Sequence, residues 1–230
     1  FKASVDKLQE QNYSKEEALF KVLKQTITES EAIRFEGDGY SEEWKAEAKR
    51  RGLTNISHVP EALSHYISEQ SKNVLIGERI FNINELNSRL DVELEKYTKK
   101  IQIESRVLGD LAINHIVPIA ISYQNRLLEN IIGLKKIFSE DEYEELSRDR
   151  KDLIKEISYR ISSIKKQVQE MIEARKVANK MDNQREKAYA YADTVLPYLD
   201  SIRYHIDHLE MEVDDEIWPL PKYRELLFAK

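Results

Sequence analysis

The sequence predicts a mainly α fold: a long-helix antiparallel bundle of three to four helices, preceded by a small mixed α/β segment. Three observations carry that expectation. Charged residues make up 34% and hydrophobic residues 41% of the 230, with 6 glycines and 5 prolines, a mix proper to long amphipathic helices. From about residue 84 onward, apolar residues recur at 3- and 4-residue steps in three long runs. Several helical stretches open on a polar cap followed three residues later by Glu.

Residues 1–55 read differently from the rest. Ser14 with Glu17 forms a capping box that opens an amphipathic helix through about Ser30. Residues 32–36 (AIRFE) alternate apolar and charged side chains and predict a short strand. Gly37-Asp38-Gly39-Tyr40 is a turn, Ser41 caps a second helix, and Gly52 stops it. Residues 56–83 are connecting helices, one of them starting at Pro60.

The bundle is assigned to residues 84–230. Leu90, Leu94, Tyr97, Ile101, Leu108 and Leu111 mark one face of its first helix, with Glu104 and His115 in register positions. Pro118 is expected to kink or split that helix. Ser139 and Glu142 open the next, whose stripe is Leu146, Leu153, Ile157, Ile161, Ile164, Val168 and Met171. A pause at residues 180–184 reads as a turn. Ala188, Ala192, Val195, Leu199, Ile202, Ile206, Leu209 and Val213 form the third stripe, with Pro197 a second expected kink. The chain closes on Trp218-Pro219-Leu220-Pro221 and a short apolar helix. Two prolines end the helical run, and Trp218, Leu220, Tyr223, Leu226, Leu227 and Phe228 carry too much apolar surface to leave in water. They form a docking tail for the bundle end, the upstream region or a neighbouring subunit.

The formal net charge of -6 argues against a nucleic-acid binder, which needs a basic face. With no cysteine there are no disulfides, thiolate nucleophiles or Cys-type zinc sites. No apolar run is long enough to span a membrane, no signal peptide is visible, and a cytoplasmic setting is expected. The chain opens on Phe1, so a piece of a longer protein is expected.

Candidate chemistry is sparse. His205, His208 and Glu212 share a helix face and could present themselves to a metal; the rival reading is a solvated polar face beside Ile202, Ile206 and Leu209. Glu104 and His115 suit buried register sites, with Arg150 or Arg175 as partners, or else catalytic groups. Gly37–Ser41 precedes a helix, as an anion cradle does, but lacks a specific phosphate-loop pattern. Asp214-Asp215-Glu216 opposes a helix dipole and calls for a cation, with Lys222 and Arg224 close by. No set of residues makes a complete active site.

Four stretches together resemble a known family: RFEGDGYSEEWKAEAKRRGL (34–53), EALSHYIS (61–68), VELEKYTKKIQIESRVLGDLAINHIVPIAISYQNRLLENIIGL (92–134) and YADTVLPYLDSIRYHIDHLEMEVDDEIWPLPKYRELLF (191–228). They are similar to the C-terminal region of type III glutamine synthetases, the large bacterial form. The resemblance implies a parent enzyme that joins glutamate and ammonia with ATP and a divalent metal (Mg or Mn). Its metal, phosphate and ATP motifs lie upstream, so no catalytic, cofactor-binding or metal-binding residue is carried over to this chain. Residues 1–55 then trail the catalytic region, and the rest is a non-catalytic extension serving structure or assembly. Its expected partners are the rest of the polypeptide and neighbouring subunits, in hexameric rings or dodecamers. An independent coiled-coil interaction module and a helical-bundle metal protein are the alternatives.

Overall fold

A computed structural model describes residues 1–227, leaving aside the side chains of Ala32, Tyr223 and Arg224. The chain divides into two units, Phe1–Ser57 and His58–Lys230.

In the first unit, α1 (Lys2–Glu10) and α2 (Lys15–Glu29) form a helical hairpin. Its small core is Val5, Ala18 and Val22, with Leu8 against them. The capping box at the start of α2 is complete: Ser14 accepts from the Glu17 amide at 3.2 Å, and the Glu17 carboxylate accepts from the Ser14 amide at 3.0 Å. The expected strand at residues 32–36 does not form. Glu31–Ile33 is a single 3₁₀ turn, and residues 34–36 have no regular structure. No strand exists among the described residues to pair with it, and an unpaired strand leaves its amides without partners. The N-terminal segment is therefore helical, not mixed α/β. Arg51 supplies what a sheet would have: its guanidinium donates to the carbonyls of Glu31 (3.3 Å) and Arg34. Helix α3 (Glu42–Arg50) starts on a Ser41 cap and stops where Gly52 takes a φ of +71°.

The second unit begins with two short helices, α4 (Val59–Ser64) and α5 (Glu69–Leu75). Leu63 and Ile67 of this stretch pack against Leu90, Leu94 and Ala188. Three long helical rods come next. The first comprises α6 (Ile83–Leu111), a π-helical turn (Ala112–Ile116) and α7 (Val117–Ile137). The second is α8 (Glu140–Asn179), whose 40 residues run roughly 60 Å at 1.5 Å per residue. The third comprises α9 (Gln184–Ala190), a second π-helical turn (Tyr191–Val195) and α10 (Leu196–Glu212). A terminal helix, α11 (Tyr223–Leu227), ends the described chain.

Neither proline splits its helix. Each sits two residues past a π turn, Pro118 after Ala112–Ile116 and Pro197 after Tyr191–Val195. Proline lacks an N–H and collides with the carbonyl four residues back; the wider π turn opens room for that carbonyl. The first π turn also corrects phase. Ile101, Ser105, Ala112, Ile116 and Ala120 are all buried, and their spacing is mostly steps of four across Gly109. Each such step overshoots a 3.6-residue turn by about 40°, so a plain α-helix would rotate these residues off the core. One π turn takes up the excess.

The main core is one cluster filled by Ile101, Ile116, Ile157, Ile164, Met171, Tyr191, Ile202 and Leu209 among others. Two expectations about register fail. Glu104 and His115 are exposed; Ser105 occupies the core position instead. Glu104 faces Lys100 of its own helix at 4.0 Å, while Arg150 donates to the Leu146 carbonyl and Arg175 reaches the Ser105 hydroxyl. Leu146 is exposed, and Tyr143 and Ser147 flank it in the buried stripe.

Candidate functional site

Two places in the second unit combine burial with polar chemistry: the seam between α8 and α10, and the segment just past α10.

The seam is built from antiparallel neighbours. Arg160 and Gln167 on α8 face Glu212 and His205 on α10 in reverse order. Arg160 and His205 are each only 6% exposed. Arg160 occupies a stripe position between Ile157 and Ile164, and burial forces its head to find partners locally. Its Nη2 pairs with Glu156, its guanidinium lies 5.9 Å from the Tyr204 ring, and its Nε stands 4.0 Å from Glu212. Gln167 Nε2 and His205 Nε2 are 3.4 Å apart, and the Tyr159 ring meets the imidazole edge-on at 5.8 Å. Among the described residues Arg160 Nε, Gln167 Oε1, His205 Nδ1 and Glu212 Oε2 are buried without a hydrogen-bond partner. Such atoms are either bridged by water or poised for small side-chain shifts.

The charges respond to this setting. Burial, then the neighbouring Arg160 and His208, push the His205 pKa below its ordinary 6.5. Burial and Glu156 raise the Glu212 carboxyl above its ordinary 4.5, against the pull of Arg160 and His208. The seam therefore favours a neutral His205 and a carboxyl that holds its proton more tightly than usual.

The triad of His205, His208 and Glu212 does not gather as a metal site. His208 Nδ1 lies 2.7 Å from the Tyr204 carbonyl, and His205 packs toward Gln167. Among the described residues no group of three or more His, Asp or Glu side chains is placed to hold a metal ion. Sequence reasoning singles out this α10 face but misses Arg160 and Gln167. The signal is present in an arginine sitting three residues after Ile157 and four before Ile164.

The Gly37–Ser41 turn of the first unit is no anion cradle. Asp38 Oδ1 already accepts the Tyr40 amide at 2.9 Å, and Ser41 caps the Trp44 amide.

Beyond α10 the chain turns sharply on Asp214. Its carbonyl accepts the Ile217 and Trp218 amides, and its carboxylate accepts the Glu216 amide at 3.0 Å and faces Arg126 of α7 at 3.2 Å. Trp218 is then 8% exposed and part of the main core, with Ile217 and Leu220 packed against it. Lys222 closes the turn. Its ammonium donates to the Glu210 carbonyl at 2.7 Å, a free acceptor in the last turn of α10, and pairs with Asp215. Leu226 and Leu227 are each 61% exposed. The Tyr223 side chain and Phe228 lie outside the described residues.

Among the described residues the second unit is an all-helical bundle with a buried polar seam and a tucked terminal Trp. The family model for the glutamine synthetase C-terminal domain matches residues 18–135, and this chain belongs to that family. Over all of its length it is 73% identical to a glutamine synthetase of Bacteroides fragilis (strain YCH46) and covers 32% of that protein. It is 29% identical over 94% of its length to a type-3 glutamine synthetase of Dictyostelium discoideum, covering 30% of it. A glutamine synthetase of Butyrivibrio fibrisolvens is 28% identical over 93% of the chain, again with 30% of the relative covered. The chain spans about a third of the length of the curated relatives it matches. No helix among the described residues is long and apolar enough to cross a membrane.

Proposed function

We propose that this chain is the non-catalytic C-terminal part of a cytoplasmic, bacterial type III glutamine synthetase and that it serves structure and subunit assembly. The parent enzyme would join glutamate and ammonia using ATP and Mg or Mn held by residues upstream. Residues 1–55 would trail the catalytic region, and the bundle would contact neighbouring subunits of a hexameric ring or dodecamer. The observation that carries this reading is the terminal segment. Trp218 and Leu220 lock its base onto the bundle, while Leu226 and Leu227 stand in solvent directly beyond. A rigidly anchored, apolar, outward-facing end suits a contact with another chain. Trp218, Leu220, Tyr223, Leu226, Leu227 and Phe228 form the proposed docking set.

Deleting residues 216–230 from the full-length enzyme tests the proposal. The expected result is a lower oligomer mass by light scattering or a lower melting temperature by calorimetry. An enzyme unchanged in both would refute the assembly role.

A further inference from the structure

The groove between α6 and α8 holds two arginines that pair with no carboxylate among the described residues. Ser105, Arg106 and Gly109 contribute from α6, and Val168, Ile172 and Arg175 from α8, around a space of about 300 Å³. A methyl at Gly109 would meet Val168 and Met171 at 3.5 Å, an ordinary van der Waals contact.

Four described arginines lose water, and two of them gain a carboxylate, while Arg150 donates to the Leu146 carbonyl. Arg51 has Glu47, and Arg160 has Glu156. Arg175 is half-buried, yet its one hydrogen bond among the described residues is a long 3.4 Å contact to the Ser105 hydroxyl. A guanidinium carries five N–H donors in a fixed fork. The other acceptors nearby are occupied. Asn179 Oδ1 accepts from Tyr191 at 2.8 Å and from Gln102 at 3.3 Å, and the Ser105 hydroxyl spends its own proton on the Gln102 carbonyl. Asp110 also lines the groove, but it accepts from Asn114 at 2.6 Å and pairs with neither arginine among the described residues. Arg106 adds a second positive charge, also without an ion pair among the described residues. Burial and this neighbour both lower the Arg175 pKa, so the site works against its own charge when empty of anions.

Two guanidiniums lining one small, largely apolar groove, Arg175 half-buried and Arg106 exposed, are suited to grip an oxyanion between them, each by a bidentate fork. We propose that Arg106 and Arg175 form an oxyanion site that takes a carboxylate or a phosphate group. The anion arrives either free in solution or as an acidic side chain of a neighbouring copy. The site lies apart from the terminal segment, so it stands or falls independently of the docking role given to Trp218 and its neighbours.

The experiment uses the full-length protein in a buffer of low anion content. Inorganic phosphate and succinate are titrated calorimetrically into the native protein, Arg106→Gln, Arg175→Gln, Arg175→Lys, and the exposed control Lys166→Gln. Sedimentation at graded concentrations follows assembly. For a free anion, the native protein and the control bind saturably and both Gln variants weaken binding by about tenfold or more, with Arg175→Lys between them. For a neighbour's carboxylate, the native protein shows no heat, and both Gln variants fall apart at higher protein concentration than the control. Unchanged binding and unchanged assembly in both Gln variants overturn the proposal. Where assembly is unchanged, a large drop in melting temperature for Arg175→Gln in anion-free buffer also overturns it, because an arginine with no internal counter-ion should be dispensable to the fold.

Discussion

Replacing Trp218 by Ala should destabilise the bundle more than any other change in the terminal segment. An aromatic side chain of this size buries roughly 150–250 Å², and Trp218 retains only 8% of its exposure. At about 25 cal/mol per Å² that is an upper figure of about 4–6 kcal/mol, in line with the roughly 3–5 kcal/mol typical of Trp-to-Ala changes in cores. The indole Nε1 is buried with no partner among the described residues, which sets about 1–3 kcal/mol against the native residue. Trp218→Phe, which removes that donor and keeps most of the ring, should therefore cost less than about 1.5 kcal/mol. The loss in Trp218→Ala should be about 2–4 kcal/mol, or roughly 4–16 °C of melting temperature for a unit of this size. Thermal denaturation of the full-length protein, followed by far-ultraviolet dichroism and calorimetry, measures both. If Trp218→Ala melts within about 2 °C of the native protein, the Trp218 seat contributes nothing to the bundle and the reasoning fails.

The same geometry sets other outcomes. Leu226→Ala and Leu227→Ala should leave the melting of the lone subunit unchanged, since both side chains are exposed, but should shift the dissociation constant of the assembly in sedimentation. His205 has a folded pKa below its ordinary 6.5, so its contribution to stability is present above pH 6.5 and is lost as the pH falls toward the folded value. His205→Gln should flatten that acid loss in denaturant titrations at stepped pH, with Arg160, His208, Tyr159, Tyr204 and Gln167 left in place. Glu212 has the opposite sign. Its raised folded pKa means stability is lost as the pH rises from 4.5 through that value, and Glu212→Gln should remove the loss in the same titration. In the first unit, Arg50 and then Arg51 hold Glu47 at about 2. Its contribution is present above 4.5 and disappears on acidification toward 2, so Glu47→Gln should lessen the acid sensitivity of that unit.

The long rods are legible in the sequence because a stripe of apolar residues at helical spacing has few other uses. Ile157, Ile164, Val168, Met171, Ile202 and Leu209 all lie where that spacing puts them. The cap at Ser14 and the stop at Gly52 are equally readable, because each is a local device that involves a few neighbouring residues. The strand expected at residues 32–36 fails for the converse reason. Alternation describes one strand, but a strand exists only with a partner, and a five-residue window contains no information about one. His115 falls in the core only if a 3.5-residue period is extended through a stretch where the helix itself changes pitch, whereas Glu104 yields its place to Ser105 upstream of that turn. The seam of Arg160, Gln167, His205 and Glu212 depends on which residues of two distant helices meet. The positions of the polar residues in each stripe hint at it, but their pairing comes from packing alone.

The two π turns bear on how this family can change length. In an ordinary α-helix, losing one residue swings everything downstream by about 100° and empties the core. Within Ala112–Ile116 or Tyr191–Val195 the chain already holds one residue more than the helix needs. Removing an exposed residue such as Asn114 or Asp193 would convert the local turn to α geometry and keep the downstream helix in phase, at the cost of the room the turn gives Pro118 or Pro197. Relatives that gain or lose single residues in these rods should do so at those two turns, making them the natural places to seek alignment gaps and to insert a reporter.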